Sequence, residues 1–494
     1  MAILLENASV VTLNASKPVL EAQQILIHEG TIAQVGRKIH TRGLPITKRI
    51  DCSQMIVMPG LVNAHCHLTE ILQKSFRDNA RMEIWRAYRT TTEDLAHLTP
   101  DEIGIAAELA CSEMLKNGVT SVVDHFSTRP GLTVDKMDAI LGAFEKTGIR
   151  GMLVPSLRDQ DSIRLATQPT NRRKAAKQTS PEPWKEEVLA VLARLRRAPT
   201  LSGIMLGPSS PMNCSDGLLR EVVKVTEQYD LGIHTHLLET RLQAWTARKI
   251  YKKTICAHLA EIGFLSSRLS TAHSIWLEDK EIDLLASSGA SAVHNPASNL
   301  KLGSGIAPVA KLKARGVNVA LGTDGGDTSD SYSIFEQMRL AAYLSRVVAE
   351  DPNNWITALD ALKMGTVNGG QAVPAWRRKI GKIKPGYRAD LVILKPSLRL
   401  RPLRDIVHQL VFCEGGQSVD TVLVDGKIVV KDGRLTGVDE ESLIRRVEPI
   451  SQKMYRLYGQ VKKKPDPSQQ TIRDLYKKSF MAKGLPMRFL PAEK

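Results

Sequence analysis

His65 and His67 stand two residues apart at the end of the apolar run Met55-Ile-Val-Met-Pro-Gly-Leu-Val62. In an extended strand that spacing sends both side chains to one face, as two ligands of a single metal ion require. The spacing recurs at His234-Thr-His236, with Glu239 three residues further on, and Asp324 follows the apolar run 317–321. Three neutral imidazoles and a carboxylate suit Zn(II) or Fe(II) and leave room for a bound water. Such an ion lowers the pKa of its water toward neutrality, so hydrolysis is the chemistry these residues predict.

Residues so far apart in sequence need a scaffold that gathers them. Between the two ends of the chain, β-branched runs ending near His67, His125, Leu157, Ser210, His236, His273, Asn295 and Asp324 alternate with amphipathic stretches. This is the pattern of a parallel sheet covered by helices, and eight such units close a (β/α)8 barrel whose C-terminal strand ends share one face. Short alternating runs at 2–5, 10–13, 25–28 and 31–35 return in kind at 389–394 and 421–430, with Glu29-Gly30 and Asp425-Gly426 as turn signals. They predict a small β-sandwich subdomain made from 1–57 and 380–440, a barrel over 58–379 and a C-terminal tail from 441 to 494.

Composition narrows the class. A chain of 494 residues with 43% hydrophobic and 24% charged residues is an ordinary globular protein, which excludes disordered and fibrous classes. The start Met1-Ala-Ile-Leu-Leu-Glu6 has no basic segment or long apolar segment, and no membrane-length apolar run occurs, so a cytoplasmic protein is expected. The six cysteines form no CxxC, which disfavours disulfides and cysteine-ligated zinc. The net charge of +16 is concentrated: 158–197 carries 10 Lys/Arg against 5 Asp/Glu, and 451–494 carries 11 against 3. The basicity is appended to the chain, so specific nucleic-acid binding is not expected. The insertion 158–200 reads as a surface excursion or lid. In the tail, Ile472, Leu475, Tyr476 and Phe480 lie at mostly helical spacing and predict a helix that docks on the chain's own barrel or on a neighbouring subunit.

The words Pro59-Gly-Leu-Val-Asn-Ala-His-Cys-His67, Thr235-His-Leu-Leu-Glu-Thr240, Ala272-His273, His294-Asn-Pro-Ala-Ser-Asn-Leu-Lys-Leu302, Gly305-Ile-Ala-Pro-Val309, Gly322-Thr-Asp-Gly325 and Gly381-Lys-Ile-Lys-Pro-Gly-Tyr-Arg-Ala-Asp-Leu-Val392 span most of the chain. In that order they resemble the amidohydrolase superfamily, in the branch of methylthioadenosine/S-adenosylhomocysteine deaminases, guanine deaminase-like enzymes and s-triazine hydrolases. The resemblance implies one divalent metal per chain, Zn(II) ahead of Fe(II), held by His65, His67, His236 and Asp324. The carboxylated lysine that bridges two metals in binuclear members has no counterpart in Leu206-Gly-Pro-Ser-Ser-Pro211.

The same resemblance implies that Asp324 accepts the water's proton, that His273 orients the hydroxide and stabilises the developing alkoxide, and that Glu239 carries protons to the ring nitrogen and leaving group. His234 reads as a filler one layer deeper. Asn295, Asn299 and Lys301 read as loop scaffolding. Candidate substrate contacts are Trp85 and Tyr88 as a stacking wall, His125, Ser209, Asn299 and Asp327, the last for a basic amine. Ser209 stands where nucleoside deaminases of this branch carry a histidine, so that contact to ribose or adenine is not expected. The reaction expected is removal of an amino or alkylamino group from a purine, pyrimidine, pterin or triazine by a homodimer or higher homo-oligomer acting on small molecules, with no membrane partner. Hydrolysis of an amide, urea or carbamate, and dechlorination of a triazine, stand as alternatives. The intact set of ligands and acids opposes a binding protein with an inactive barrel.

Overall fold

In the computed structural model, residues 2–41, 43–85, 97–127, 131–162, 184–197, 200–462, 468–482 and 484–486 are described. The opening alternation produces β1 (Ala2–Val11), β2 (Val19–His28), β3 (Thr31–Gly36), β4 (Lys48–Asp51) and β5 (Ile56–Pro59). The two strands expected at 2–5 and 10–13 are one. The polar Glu6-Asn7 interruption is absorbed as a bulge, with register shifts on both sides of Ala8 and Asn7 at φ 60°. The bulge lets β1 change neighbours: its first half pairs with β4 and Ser9 and Val10 pair with β5.

The middle of the chain supplies β6 (Leu61–His67), β7 (Val119–Phe126), β8 (Arg150–Leu157), β9 (Gly203–Ile204), β10 (Gly207–Pro208), β11 (Ile233–Leu237), β12 (Leu269–His273), β13 (Ser291–His294), β14 (Asn318–Leu321) and β15 (Asp324–Gly325). All their pairings are parallel. β6, β7 and β8 pair in turn, and β8 pairs with β9 and β10. A bridge from Leu206 to Ile233 leads to β11, which continues through β12 and β13 to β14. β15 then pairs with β6, Asp324 opposite Cys66, so the series returns to the strand where it began.

Helices lie between successive strands: α1 (Pro100–Lys116), α2 (Val134–Thr147), α3 (Asp216–Tyr229), α4 (Arg241–Tyr251) and α5 (Asp279–Ser288). Their ends carry local signals. Thr99 and Glu102 form a capping box ahead of α1 with Pro100 in its first turn, and Gly148 closes α2 in the left-handed region. In and beside the parallel strands, Val62, Val123, Met152, Val154 and Met205 pack with Val373, Trp376 and Ile380 in one buried apolar cluster.

The late strands β16 (Leu391–Leu394), β17 (Val419–Val424), β18 (Lys427–Lys431) and β19 (Arg434–Leu435) join the opening ones in a nine-stranded sheet ordered β19-β18-β17-β16-β5-β1-β2-β3, with β4 beside β1. This sheet has its own apolar cluster, including Leu5, Ile25, Ile27, Leu391 and Leu423. Both signalled turns have positive φ at two successive residues, Glu29-Gly30 and Asp425-Gly426, as tight hairpins demand. The turns abut, since a Cβ on Gly30 would lie 2.8 Å from Asp425 O. Arg150, at the start of β8, bonds Asp390 through Nε at 2.8 Å and Nη2 at 3.0 Å and reaches Asp425 at 3.1 Å. That buried cluster fastens the terminal sheet to the parallel strands.

The tail forms α6 (Glu440–Lys462) and α7 (Ser468–Met481). α6 is tied to α1 by Arg446–Glu108 at 2.9 Å and Lys453–Glu102 at 2.8 Å, and Leu475 of α7 packs on Leu242 and Trp245 of α4. Of the two docking places that the helical apolar spacing left open, the chain's own barrel or a neighbouring subunit, α7 occupies the chain's own body. Most of the 158–200 insertion lies outside the described residues. Among the described residues no helix is long and apolar enough to cross a membrane.

Removing one partner from a buried, hydrogen-bonded ion cluster leaves charge uncompensated. Arg150→Ala is therefore expected to lower the unfolding free energy by about 3–5 kcal/mol, measured by urea denaturation. A loss below about 1 kcal/mol would show that the two carboxylates find other support.

Candidate metal centre and active site

The strand ends bring the predicted ligands together. His65 Nε2 lies 3.5 Å and His67 Nε2 3.4 Å from Asp324 Oδ1, and His236 Nε2 lies 3.3 Å from His67 Nε2. Donor atoms about 2.0–2.1 Å from one tetrahedral centre are about 3.3–3.4 Å from each other, so this spacing is that of a metal's ligand edges. It is also too long for good hydrogen bonds, and His65 Nε2, fully buried, has no hydrogen-bond partner. The donor set therefore fits a divalent cation. His273 Nε2 stands 3.9 Å from Asp324 Oδ2.

Each imidazole is held from behind. His67 Nδ1 donates to His125 O and His236 Nδ1 to Ser209 O, both at 2.6 Å, which leaves Nε2 as a bare lone pair. His65 Nδ1 contacts His234 Nε2 at 2.8 Å, and His234 Nδ1 contacts Ser270 Oγ at 2.7 Å. His234 is thus more than filler, because it orients His65. Asp324 Oδ2 accepts from Ser298 Oγ at 2.5 Å and Oδ1 from Gly325 N at 2.9 Å. His273 Nδ1 donates to Asn299 Oδ1 at 2.9 Å.

The electrostatics match. Burial pulls His65 down to about 4 and holds His125, His234 and His236 well below the ordinary histidine value, so these rings are neutral at pH 7. Burial opposes ionisation of Asp324, but the adjacent imidazoles of His65, His273 and His67 outweigh it and hold the carboxyl well below the usual range. The backbone is strained here too: His273 and Asp324 sit at φ 68° and 65°, and Leu238, between His236 and Glu239, at 47°. Such conformations cost non-glycine residues energy and gather where side chains must be aimed.

The remaining predicted residues fall into distinct places. Glu239 is buried, and its backbone N donates to Gln243 Oε1 at 2.7 Å. His125 is buried beside His236, ring centroids 4.7 Å apart, and neither ring nitrogen has a hydrogen-bond partner. Ser209 serves His236 through its carbonyl, and Asn299 serves His273, with Asn295 Nδ2 3.4 Å from the same nitrogen. Lys301 pairs with Asp330 and donates to Asp327 O.

Asp327, expected to face a basic substrate, instead accepts from Arg77 Nη1 and Trp85 Nε1, both at 2.8 Å, in a buried pair. Trp85, expected as a stacking wall, is 7% exposed and anchors that pair. Tyr88 lies outside the described residues. Sequence reasoning missed Arg77 and Ser298. Ser298 lies inside the quoted word that begins at His294, whereas nothing near Arg77 announces its partner.

Comparison with known proteins gives these geometries a context. Residues 56–429 match the amidohydrolase family. A 5'-deoxyadenosine deaminase of Methanosarcina mazei is 32% identical over 455 residues, covering 92% of this chain and 98% of the relative. A 5-methylthioadenosine/S-adenosylhomocysteine deaminase of Caldanaerobacter subterraneus subsp. tengcongensis is 30% identical over 460 residues, covering 92% and 99%. Among solved structures, an adenosine deaminase from Xanthomonas campestris with bound zinc aligns with a TM-score of 0.80 at 26% identity, covering 92% and 98%. An atrazine chlorohydrolase from Arthrobacter aurescens TC1, complexed with zinc, aligns with a TM-score of 0.81 at 25% identity, covering 91% and 100%. The chain belongs to the amidohydrolase family and has a TIM-barrel-like α/β fold. It is a metal-dependent hydrolase of C–N bonds other than peptide bonds.

Partners that orient metal-binding histidines set affinity without touching the ion. His234→Ala should weaken zinc binding by about 10–100-fold, read by competition with a chromophoric chelator. Unchanged affinity would return His234 to the role of packing.

Proposed function

We propose that the chain is a mononuclear aminohydrolase that removes the amino group from the purine of an adenosine-derived nucleoside. In this reading His65, His67, His236 and Asp324 hold one Zn(II), with Fe(II) the second choice. The observation that carries it is the convergence of the His65, His67 and His236 ring nitrogens on one place, with Asp324 Oδ1 3.5 Å from His65 Nε2 and 3.4 Å from His67 Nε2. Strand β10 offers no lysine beside it. The deaminase names of the relatives support the nitrogen heterocycle.

A divalent ion in that position makes hydroxide available near neutral pH. Asp324, kept ionised, takes the proton of the attacking water. His273, aimed by Asn299, orients that water. Glu239, at the turn after His236, protonates the ring nitrogen, then takes the proton of the added hydroxyl and passes it to the departing amine. We assign His125 to the pocket, because a buried polar group without a partner costs about 1–3 kcal/mol until a ligand supplies one. Asn299 and Ser209 act on the site through His273 and His236.

The same reading makes 58–379 a (β/α)8 barrel, 1–57 and 380–440 a β-sandwich subdomain, and 441–494 a tail. The parallel pairings that return to β6 and the separate apolar cluster of the terminal sheet support it. Exposed Tyr343, Val347 and Val348 support a homodimer, and six free cysteines support a cytoplasmic setting. Likeness to the atrazine chlorohydrolase favours a second reading, displacement of halide from a triazine.

Zinc-loaded protein is expected to release ammonia from 5'-deoxyadenosine or 5-methylthioadenosine, and Glu239→Gln should keep its metal while losing turnover by roughly 100-fold or more. Chloride release from atrazine without ammonia from either nucleoside would decide for the second reading. Elemental analysis is expected to find one tightly bound metal per chain; two would sink the mononuclear assignment.

A further inference from the structure

Arg241 is the first residue of α4, two positions after Glu239. A cation there opposes the dipole of its own helix. Its hydrogen bonds explain the placement. Nε donates to Ser479 O at 2.8 Å and Nη2 to Ala482 O at 2.9 Å and Phe480 O at 3.4 Å, so the guanidinium caps the C-terminal end of α7, where a cation is favourable. Arg241 is 7% exposed, with its guanidinium carbon 5.4 Å from the rings of both Trp276 and Phe480.

The rest of α7 rests on the same corner. Ile472, Leu475 and Ser479 are buried, Leu475 against Leu242 and Trp245. The guanidinium of Arg81 stacks 4.3 Å from the ring of Tyr476 and donates to Gly303 O at 2.7 Å. Beneath this contact the turn from β11 to α4 carries Leu238 at positive φ, Glu239 N on Gln243 Oε1, and Thr240 as the cap of α4. A strained turn keeps one conformation only when its surroundings over-determine it. α7 lies outside the stretch 56–429 that matches the family.

We infer that α7 is a working part of the active site and that Arg241 is the positioning residue through which it fixes the turn carrying Glu239. The inference rests on Glu239 being the proton carrier. With α7 seated, the turn is clamped between strand β11 and the tail. With α7 displaced, Arg241 loses its acceptors and Glu239 its fixed direction, while the metal ligands on the strands stay in place.

The test uses the full zinc-loaded chain. Leu475→Glu puts a carboxylate into the apolar seat of α7, Arg241→Ala removes the clasp with the helix still present, and Arg241→Lys restores part of it. In the first two variants, hydrogen exchange of amides 236–243 is expected to rise about tenfold or more. For 5'-deoxyadenosine, kcat should fall about 10–100-fold with metal content kept, KM little changed and the acid limb of the kcat–pH profile displaced. In a Glu239→Gln background Leu475→Glu should cost little more, because the group being aimed is gone. Unchanged exchange at 236–243, or an equal loss of turnover in both backgrounds, overturns the inference. Near-normal turnover of Glu239→Gln alone removes the assignment beneath it, whereas a full loss there with Arg241→Ala at normal kcat overturns the inference by itself.

Discussion

Four lone-pair donors with no proton between them converge inside the protein, and the rest of the structure is arranged around that constraint. His65, His67, His236 and Asp324 bring polar atoms to within 3.3–3.5 Å of one another in a buried place, a packing whose desolvation cost a shared cation would offset. The protein meets the constraint by fixing each donor from its far side: two backbone carbonyls for His67 and His236, a second imidazole for His65, and a hydroxyl and an amide for Asp324. Burial contributes as well, since it keeps the rings neutral at pH 7 and so ready as ligands.

The strained residues follow from the same demand. His273 ends β12 and Asp324 opens β15, both with left-handed backbones, a strain that gathers where side chains must be aimed. Stability for this comes from elsewhere: the apolar cluster around Trp376 and the Arg150 cluster that fastens the terminal sheet. The centre is therefore rigid on the strands, whereas Glu239 stands on a turn and takes its order from packing against it.

How much of this could be read from the sequence depends on whether a residue acts near its own position. The ligand set with Asp324 and the role of Glu239 came from the family resemblance, whereas the convergence of His65, His67 and His236 was legible because each lies in a short word at a strand end. The strand ends were legible for the same reason, since β-branched runs and breakers are local. Asp327 was misread because its partner Arg77 is 250 residues away and has no spacing to announce it. Ser209 and His125 contribute carbonyl oxygens to the centre, and a backbone atom carries no signature of residue type. The two opening strands merged for a different reason: a polar pair that breaks an alternation can end a strand or bulge it, and the neighbours β4 and β5 decide which.

The return of β15 to β6 also orders events in time. The bond from Asn63 to Thr323, beside the ligands, joins residues 260 apart, and closing a loop of that size costs about 5 kcal/mol of chain entropy before any contact rewards it. A nascent chain therefore makes its first two imidazoles early and its carboxylate late, with the whole series of parallel strands laid down in between. Until Asp324 has been synthesised and seated opposite Cys66, the growing polypeptide holds its neutral histidines without the carboxylate that lies beside them. In the proposed four-ligand site, only a chain translated through β15 carries every ligand.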